Sequence, residues 1–298
     1  MAYLIALSRV AWQVQLATGK SPLCEEVLAR FEALAPRSQD PGIAPRVALV
    51  RGYRARQVND LLGALAADAH AARAFDAIGE LRMGCNQRMN VGFAYLSLGK
   101  LEDAERELAG ALATADRMGL HQISATVRHN LGLVYAYLGR TAEALAAETR
   151  AIDAFIAMGD VWFESFALVY RSLIHFLAGD GAAAEADARR ALERASVAVQ
   201  RTYAGAALAL ALALEGRAAE ALEAARAAKE VGEVAGMDEI TAVVHLARVR
   251  ALEAAGDAGA QEARGEARRW LEGVVANLGD EEVKRAFRRL PIHARLLE

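Results

Sequence analysis

Residues 90–119, NVGFAYLSLGKLEDAERELAGALATADRMG, and residues 130–159, NLGLVYAYLGRTAEALAAETRAIDAFIAMG, repeat one another at a constant offset. Asn90 pairs with Asn130, Gly92 with Gly132, Tyr95 with Tyr135, Ala104 with Ala144 and Gly119 with Gly159. Outward from this pair the register continues. Gly19, Asn59, Gly99, Gly139 and Gly179 follow one another at a period of 40, and Gly216 and Gly256 come after steps of 37 and 40. Six glycines and one asparagine suit a left-handed backbone position, which ends one helix so that the next can turn back along it.

Between these turns the apolar residues recur at helical spacing. At 3.6 residues per turn Val91, Tyr95 and Leu98 share one face, and Leu101, Ala104, Leu108, Ala111, Leu112 and Ala115 make the facing stripe on the next helix. Gly92 and Ala104 lack bulk, so the two helices can approach closely. One such hairpin cannot bury its own apolar faces, so stacking of successive hairpins is required. The bulk composition agrees: 54% hydrophobic, 6% aromatic and only five Pro in 298 residues favours many close-packed helices.

The pattern resembles the tetratricopeptide repeat, whose marks are a Leu-Gly pair, a Tyr three residues after that Gly and a small Ala in the second helix. Those places are Val91-Gly92, Tyr95 and Ala104 in the third unit, and Leu131-Gly132, Tyr135 and Ala144 in the fourth. The period of 40 is longer than the usual 34 and no Pro closes the repeats, as in the extended variety of kinesin light chains and of bacterial regulators such as the maltose-regulon activator. HEAT or armadillo repeats share the length but lack the Gly-x-x-Tyr-x-x-Leu-Gly arrangement. The expected fold is all-α. It is a right-handed α-solenoid of about seven antiparallel helix-turn-helix repeats, at about residues 1–40, 41–80, 81–120, 121–160, 161–198, 199–236 and 237–276. A capping helix at about 279–290, stopped by Pro291, turns Val283, Ala286, Phe287 and Leu290 inward.

In the repeat family the first helices of successive units line a concave groove that holds a protein or peptide segment. The resemblance places Asn90 and Asn130, two residues before the repeat Gly, where ligand-facing asparagines hydrogen-bond a peptide backbone in both directions. Helical spacing adds Asn86 and Phe93 in unit three, His129, Leu133 and Tyr137 in unit four, Arg46, Tyr53 and Arg56 in unit two, and Tyr170 in unit five. Units six and seven, nearly all Ala, Leu and Val, read as structural.

Other chemistry finds little support in the residues. Gly19-Lys20-Ser21 ends like a phosphate-cradling loop, but Val14 stands where that loop needs its first glycine. Gly19 is then a repeat turn. His70, His121, His129, His175, His245 and His293 show no zinc-ligand spacing, and Cys24 and Cys85 stand far apart with no CxxC. A formal charge of -3, with 35 Lys plus Arg against 38 Asp plus Glu interspersed, gives no global attraction to nucleic acid or to a membrane. The charge-free run Thr202 to Leu214 is shorter than the roughly 20 residues a bilayer needs. The expectation is a cytoplasmic, non-catalytic interaction scaffold without metal or cofactor. Its alternative is a ligand-responsive sensor that controls an attached kinase, ATPase or DNA-binding domain. The resemblance makes a larger bacterial signalling protein the common setting, and the uncapped N-terminal hairpin is expected to support self-association as a homodimer.

Overall fold

The computed structural model describes residues 3–8, 10, 22–58, 60–230 and 238–298; Gly19 and Asn59, and residues 1, 2, 9 and 11–21 of the N-terminal hairpin, lie outside them. Among the described residues the regular structure is helical, with no strand. After α1 (Pro22–Leu34) the helices fall into two rows. The first row is α2 (Ile43–Gln57), α4 (Leu81–Ser97), α6 (His121–Tyr137), α8 (Val161–Leu177), α10 (Ala198–Leu214) and α12 (Asp238–Ala254). The second row is α3 (Leu61–Ala77), α5 (Leu101–Arg117), α7 (Thr141–Met158), α9 (Gly181–Arg194), α11 (Ala218–Glu230) and α13 (Ala260–Ala276).

The glycines set this alternation. Gly79, Gly99, Gly119, Gly139, Gly159, Gly179, Gly216 and Gly256 all have φ between 63° and 82°, where a side chain is strained. At Gly99 the motif is complete: its N–H donates to the Leu96 carbonyl at 3.0 Å and the Lys100 N–H to the Tyr95 carbonyl at 2.9 Å. Tyr135 and His175 offer their carbonyls to Arg140 and Asp180 in the same way, at 2.8 and 2.9 Å. Each pair satisfies carbonyls that a helix end would otherwise leave without partners. The single step of 37 has a local cause. Helix α9 holds 14 residues where α5 holds 17. It runs into an extended Ala195 instead of a glycine turn, and Gln200 accepts from the Ser196 and Val197 N–H groups there.

Close approach within a hairpin uses the small residues. A Cβ on Gly92 would lie 2.5 Å from Leu108 Cγ, and one on Gly132 would lie 2.6 Å from Glu148 Cγ. In unit five Ser172 takes this place, and its hydroxyl donates to the Ala184 carbonyl at 2.7 Å. A second recurrent tie joins Cys85 to the Ala111 carbonyl at 3.4 Å and Ser165 to the Ala191 carbonyl at 3.1 Å. First-row helices also pack on one another, α4 on α6, α6 on α8, α8 on α10 and α10 on α12, whereas second-row helices share no comparable packing among the described residues. The first row is therefore the shorter, inner arc of the solenoid.

One continuous apolar core runs from Cys85 to Leu296. A separate one joins Leu4, Leu7, Leu28, Phe31, Ile43, Leu49, Val50 and Tyr53. At the far end the structure differs from the single capping helix read in the sequence. Helix α14 (Glu281–Arg288) is followed by α15 (Pro291–Leu297), because Pro291 occupies the first turn of a new helix, where no N–H is needed. Asp280 caps α14 by accepting from the Glu282 and Val283 N–H groups at 2.7 and 3.1 Å.

Candidate functional site

The inner arc carries a connected set of polar and aromatic side chains drawn from four first-row helices. His129 of α6 stacks on Tyr170 of α8 with ring centroids 4.0 Å apart and planes 25° from parallel. The Tyr170 hydroxyl donates to Glu239 Oε2 of α12 at 3.0 Å, and the Tyr203 hydroxyl of α10 donates to the other oxygen of that carboxylate. Tyr170 and Tyr203 meet edge to face at 6.4 Å. Phe166 lies 6.3 Å from Tyr203 and 5.6 Å from Trp162, which extends the aromatic surface along α8.

Electrostatics along this arc are those of carboxyls held away from water. Burial raises the Glu239 carboxyl above the ordinary carboxylate range, against the opposing effect of its two tyrosine hydrogen bonds. Behind His129, Glu148 of α7 is fully buried and lies 3.1 Å from the His129 Nδ1. Burial pushes its pKa up to about 7, although His129 favours the charged form. Tyr170 and Tyr203 are raised well above the usual phenol value, first by burial and then by Glu239. The phenols are therefore donors, and Glu239 accepts from both. Tyr137 is half-buried near the same carboxylate, which raises its pKa further after burial, while the Arg295 charge lowers it.

The structure brings His129, Tyr137 and Tyr170 together around Glu239. Asn90, Asn86 and Phe93 lie half-buried on α4, one unit along, with the Asn90 Nδ2 donating to Gln87 Oε1 at 3.4 Å. Asn130 is buried beside His129 on α6. Leu133 is 1% exposed and belongs to the continuous core. Arg46, Tyr53 and Arg56 are on α2, away from this set. Arg46 is buried against the Phe75 ring and pairs with Glu80, Tyr53 is buried in the N-terminal core, and Arg56 forks onto Asp68.

Sequence reasoning missed Glu239, Tyr203 and Glu148. Tyr203 had a signal, being the one aromatic residue in the 17 residues of α10. Glu239 had none that distinguishes it, because an acidic residue in a first turn reads as compensation of the helix dipole. Among the described residues no group of three or more His, Cys, Asp and Glu could hold a metal ion, and no helix is long and apolar enough to cross a membrane.

Residues 83–157 match the tetratricopeptide repeat family model. No curated protein matches the chain. Among solved structures, the Rap protein complexed with competence and sporulation factor is 14% identical, with a TM-score of 0.73 over 99% of this chain and 86% of that one. A tetratricopeptide repeat protein from Parabacteroides merdae is 15% identical with a TM-score of 0.46, over 85% of this chain and 99% of that one. The TPR2AB domain of yeast Sti1 in complex with pHSP90 is 14% identical with a TM-score of 0.30, over 86% of this chain and 100% of that one. Residues 83–157 thus match the tetratricopeptide repeat within a helical solenoid that is similar in fold, over its whole length, to the Rap protein.

Proposed function

We propose that this chain is a non-catalytic scaffold that holds an extended segment of a peptide or protein along its inner arc, as part of a bacterial signalling or regulatory protein. The observation that carries the reading is the repetition of Asn90 and Asn130 at the same place in consecutive first-row helices, Asn130 next to His129 of the His129, Tyr170 and Glu239 set and Asn90 one unit along. Each side-chain amide offers both a donor and an acceptor, which suits the alternating N–H and C=O groups of an extended backbone. Half-buried Phe93 and Tyr137 supply aromatic surface, and Tyr137 adds a polar tip, the kind of residue that anchors interfaces. A fold similar to that of a protein solved in complex with competence and sporulation factor supports a binding role for this chain.

The test uses a displayed random-peptide library panned on the wild-type protein. Asn90→Ala combined with Asn130→Ala should weaken the selected peptides at least about tenfold, or about 1.4 kcal/mol, while helical content and the thermal midpoint stay near those of the wild type. Selected peptides that bind the folded double variant as tightly as the wild type would remove the asparagines from the site.

A further inference from the structure

Gly99 differs from the other left-handed glycines. At Gly79, Gly119, Gly139, Gly159, Gly179, Gly216 and Gly256 a Cβ would meet nothing within 4 Å. At Gly99 it would lie 2.5 Å from the Ala286 carbonyl oxygen, 2.7 Å from the Ala286 carbonyl carbon and 3.1 Å from the Phe287 nitrogen. Those atoms belong to α14, near the far end of the chain. The turn between α4 and α5 is therefore seated directly on the backbone of the last part of the solenoid, so the array curls round until unit three meets residues 281–290.

The same closing segment runs over the mouth of the inner arc. Lys100 pairs with Glu282 at 3.5 Å. The Arg295 guanidinium sits 6.0 Å from the centre of the Phe176 ring, near the end of α8, and its charge acts on Tyr137 at the end of α6. On the other side α15 packs on α12 and α13, where Arg268 donates to the Leu297 carbonyl at 2.7 Å. From unit seven to unit three, one edge of the arc is bridged by residues 281–297.

The two attachments of this bridge are unequal. Toward unit seven α15 packs on α12 and α13, and Val283, Phe287, Leu290, Ile292 and Leu296 of the bridge are buried within the continuous core. At the turn of unit three it makes the Gly99 backbone contact and the Lys100–Glu282 pair, in which the Glu282 side chain is 74% exposed. An exposed ion pair of this kind contributes little. Beside it lies an open cleft of about 440 Å³, lined by Leu101, Glu102, Arg285, Arg289 and Leu290. The joint is incompletely packed.

We propose that residues 281–297 are a latch: they stay fixed to unit seven and release the turn at Gly99–Glu102, so that the solenoid opens and exposes the inner arc at Tyr137 and Phe176. The inference rests on reading that arc as the binding groove, but opening and closing can be measured with no ligand present. Gly99→Ala and Gly139→Ala impose the same left-handed strain, and only the first places a methyl group against α14. Lys100→Glu, a surface change, sets two acids against each other at the joint, and Lys100→Glu with Glu282→Lys restores the pair.

Hydroxyl-radical footprinting of the wild type and the four variants reads the exposure of Tyr137 and Phe176, with the radius of gyration from solution scattering alongside. Gly99→Ala and Lys100→Glu should raise labelling at both residues several-fold and expand the particle, while Gly139→Ala and the charge-swapped pair match the wild type. Equal labelling in Gly99→Ala and Gly139→Ala, together with no change in Lys100→Glu, would overturn the latch. A failure of peptide binding with these labelling results intact would count against the groove reading alone.

Discussion

A methyl group on Gly132 would lie 2.6 Å from both Cγ and Oε1 of Glu148, and one on Gly92 2.5 Å from Leu108 Cγ. Gly132→Ala and Gly92→Ala should each destabilise the protein by about 1–3 kcal/mol through overpacking, read as a lower denaturant midpoint. Glu148 adds a pH dependence. Its folded pKa, about 7, lies above the ordinary 4.5, so the folded state holds a proton that the unfolded chain has released between those values. Its contribution to stability is complete below pH 4.5 and is lost as pH rises through 7. Glu148→Gln keeps the shape without the titrating proton and should flatten the decline in stability between about pH 5 and pH 8, as measured by urea unfolding at the two values. Gly92 and Gly132 were legible because the repeat aligned them. Glu148 was not, since in sequence it falls within the second helix of its repeat, where an acidic residue reads as solvent-facing. It is buried because Gly132 opens the space for it beneath His129.

Among the helices, the outer row is stitched by arginines at the turns. Arg140 bonds Glu143 and reaches back to Glu105 at 2.8 Å, and Arg217 bonds Glu220 and reaches back to Glu185 at 2.6 Å. These guanidiniums are well solvated, and Arg140→Ala should leave the thermal midpoint almost unchanged at physiological salt. The latch carries a sharper dependence. His293 of α15 is buried against Phe287, and its Nδ1–H donates to the Phe287 carbonyl at 2.8 Å. Burial lowers its pKa from 6.5 to about 4. A histidine kept neutral in the fold stabilises fully above pH 6.5 and progressively less as pH falls toward 4. Intrinsic amide exchange slows in acid, so local opening of residues 281–297 is read from protection factors, which should fall between about pH 7 and pH 5 in the wild type and stay flatter in His293→Gln. Helix ends were readable from the sequence wherever a glycine marked them. Helix α15 was not, because Pro291 ends one helix and opens another with the same fixed φ. Gln200 closes the turn that lacks a glycine through side-chain bonds that no local pattern announces.

For the molecule as a whole, repeat stacking explains why the glycine register reached so far. Each unit contacts mainly its neighbours, so local sequence reports local packing and the sum of local packings is the solenoid. What the repeat could not report is the contact between units that are far apart in the chain. Gly99 belongs to unit three and Ala286 to the closing segment, and their meeting depends on the accumulated curvature of every unit between them. The same limit hid Glu239, whose two tyrosine partners come from different repeats. Of the N-terminal hairpin, on which self-association was expected, residues 1, 2, 9 and 11–21 lie outside the described residues. If the first-row helices form the surface that receives a peptide, amide exchange with and without a library-selected peptide will register it there. Protection should appear in α4, α6 and α8, at residues 81–97, 121–137 and 161–177, with α5, α7 and α9 unchanged. Protection confined to the second-row helices would contradict the groove.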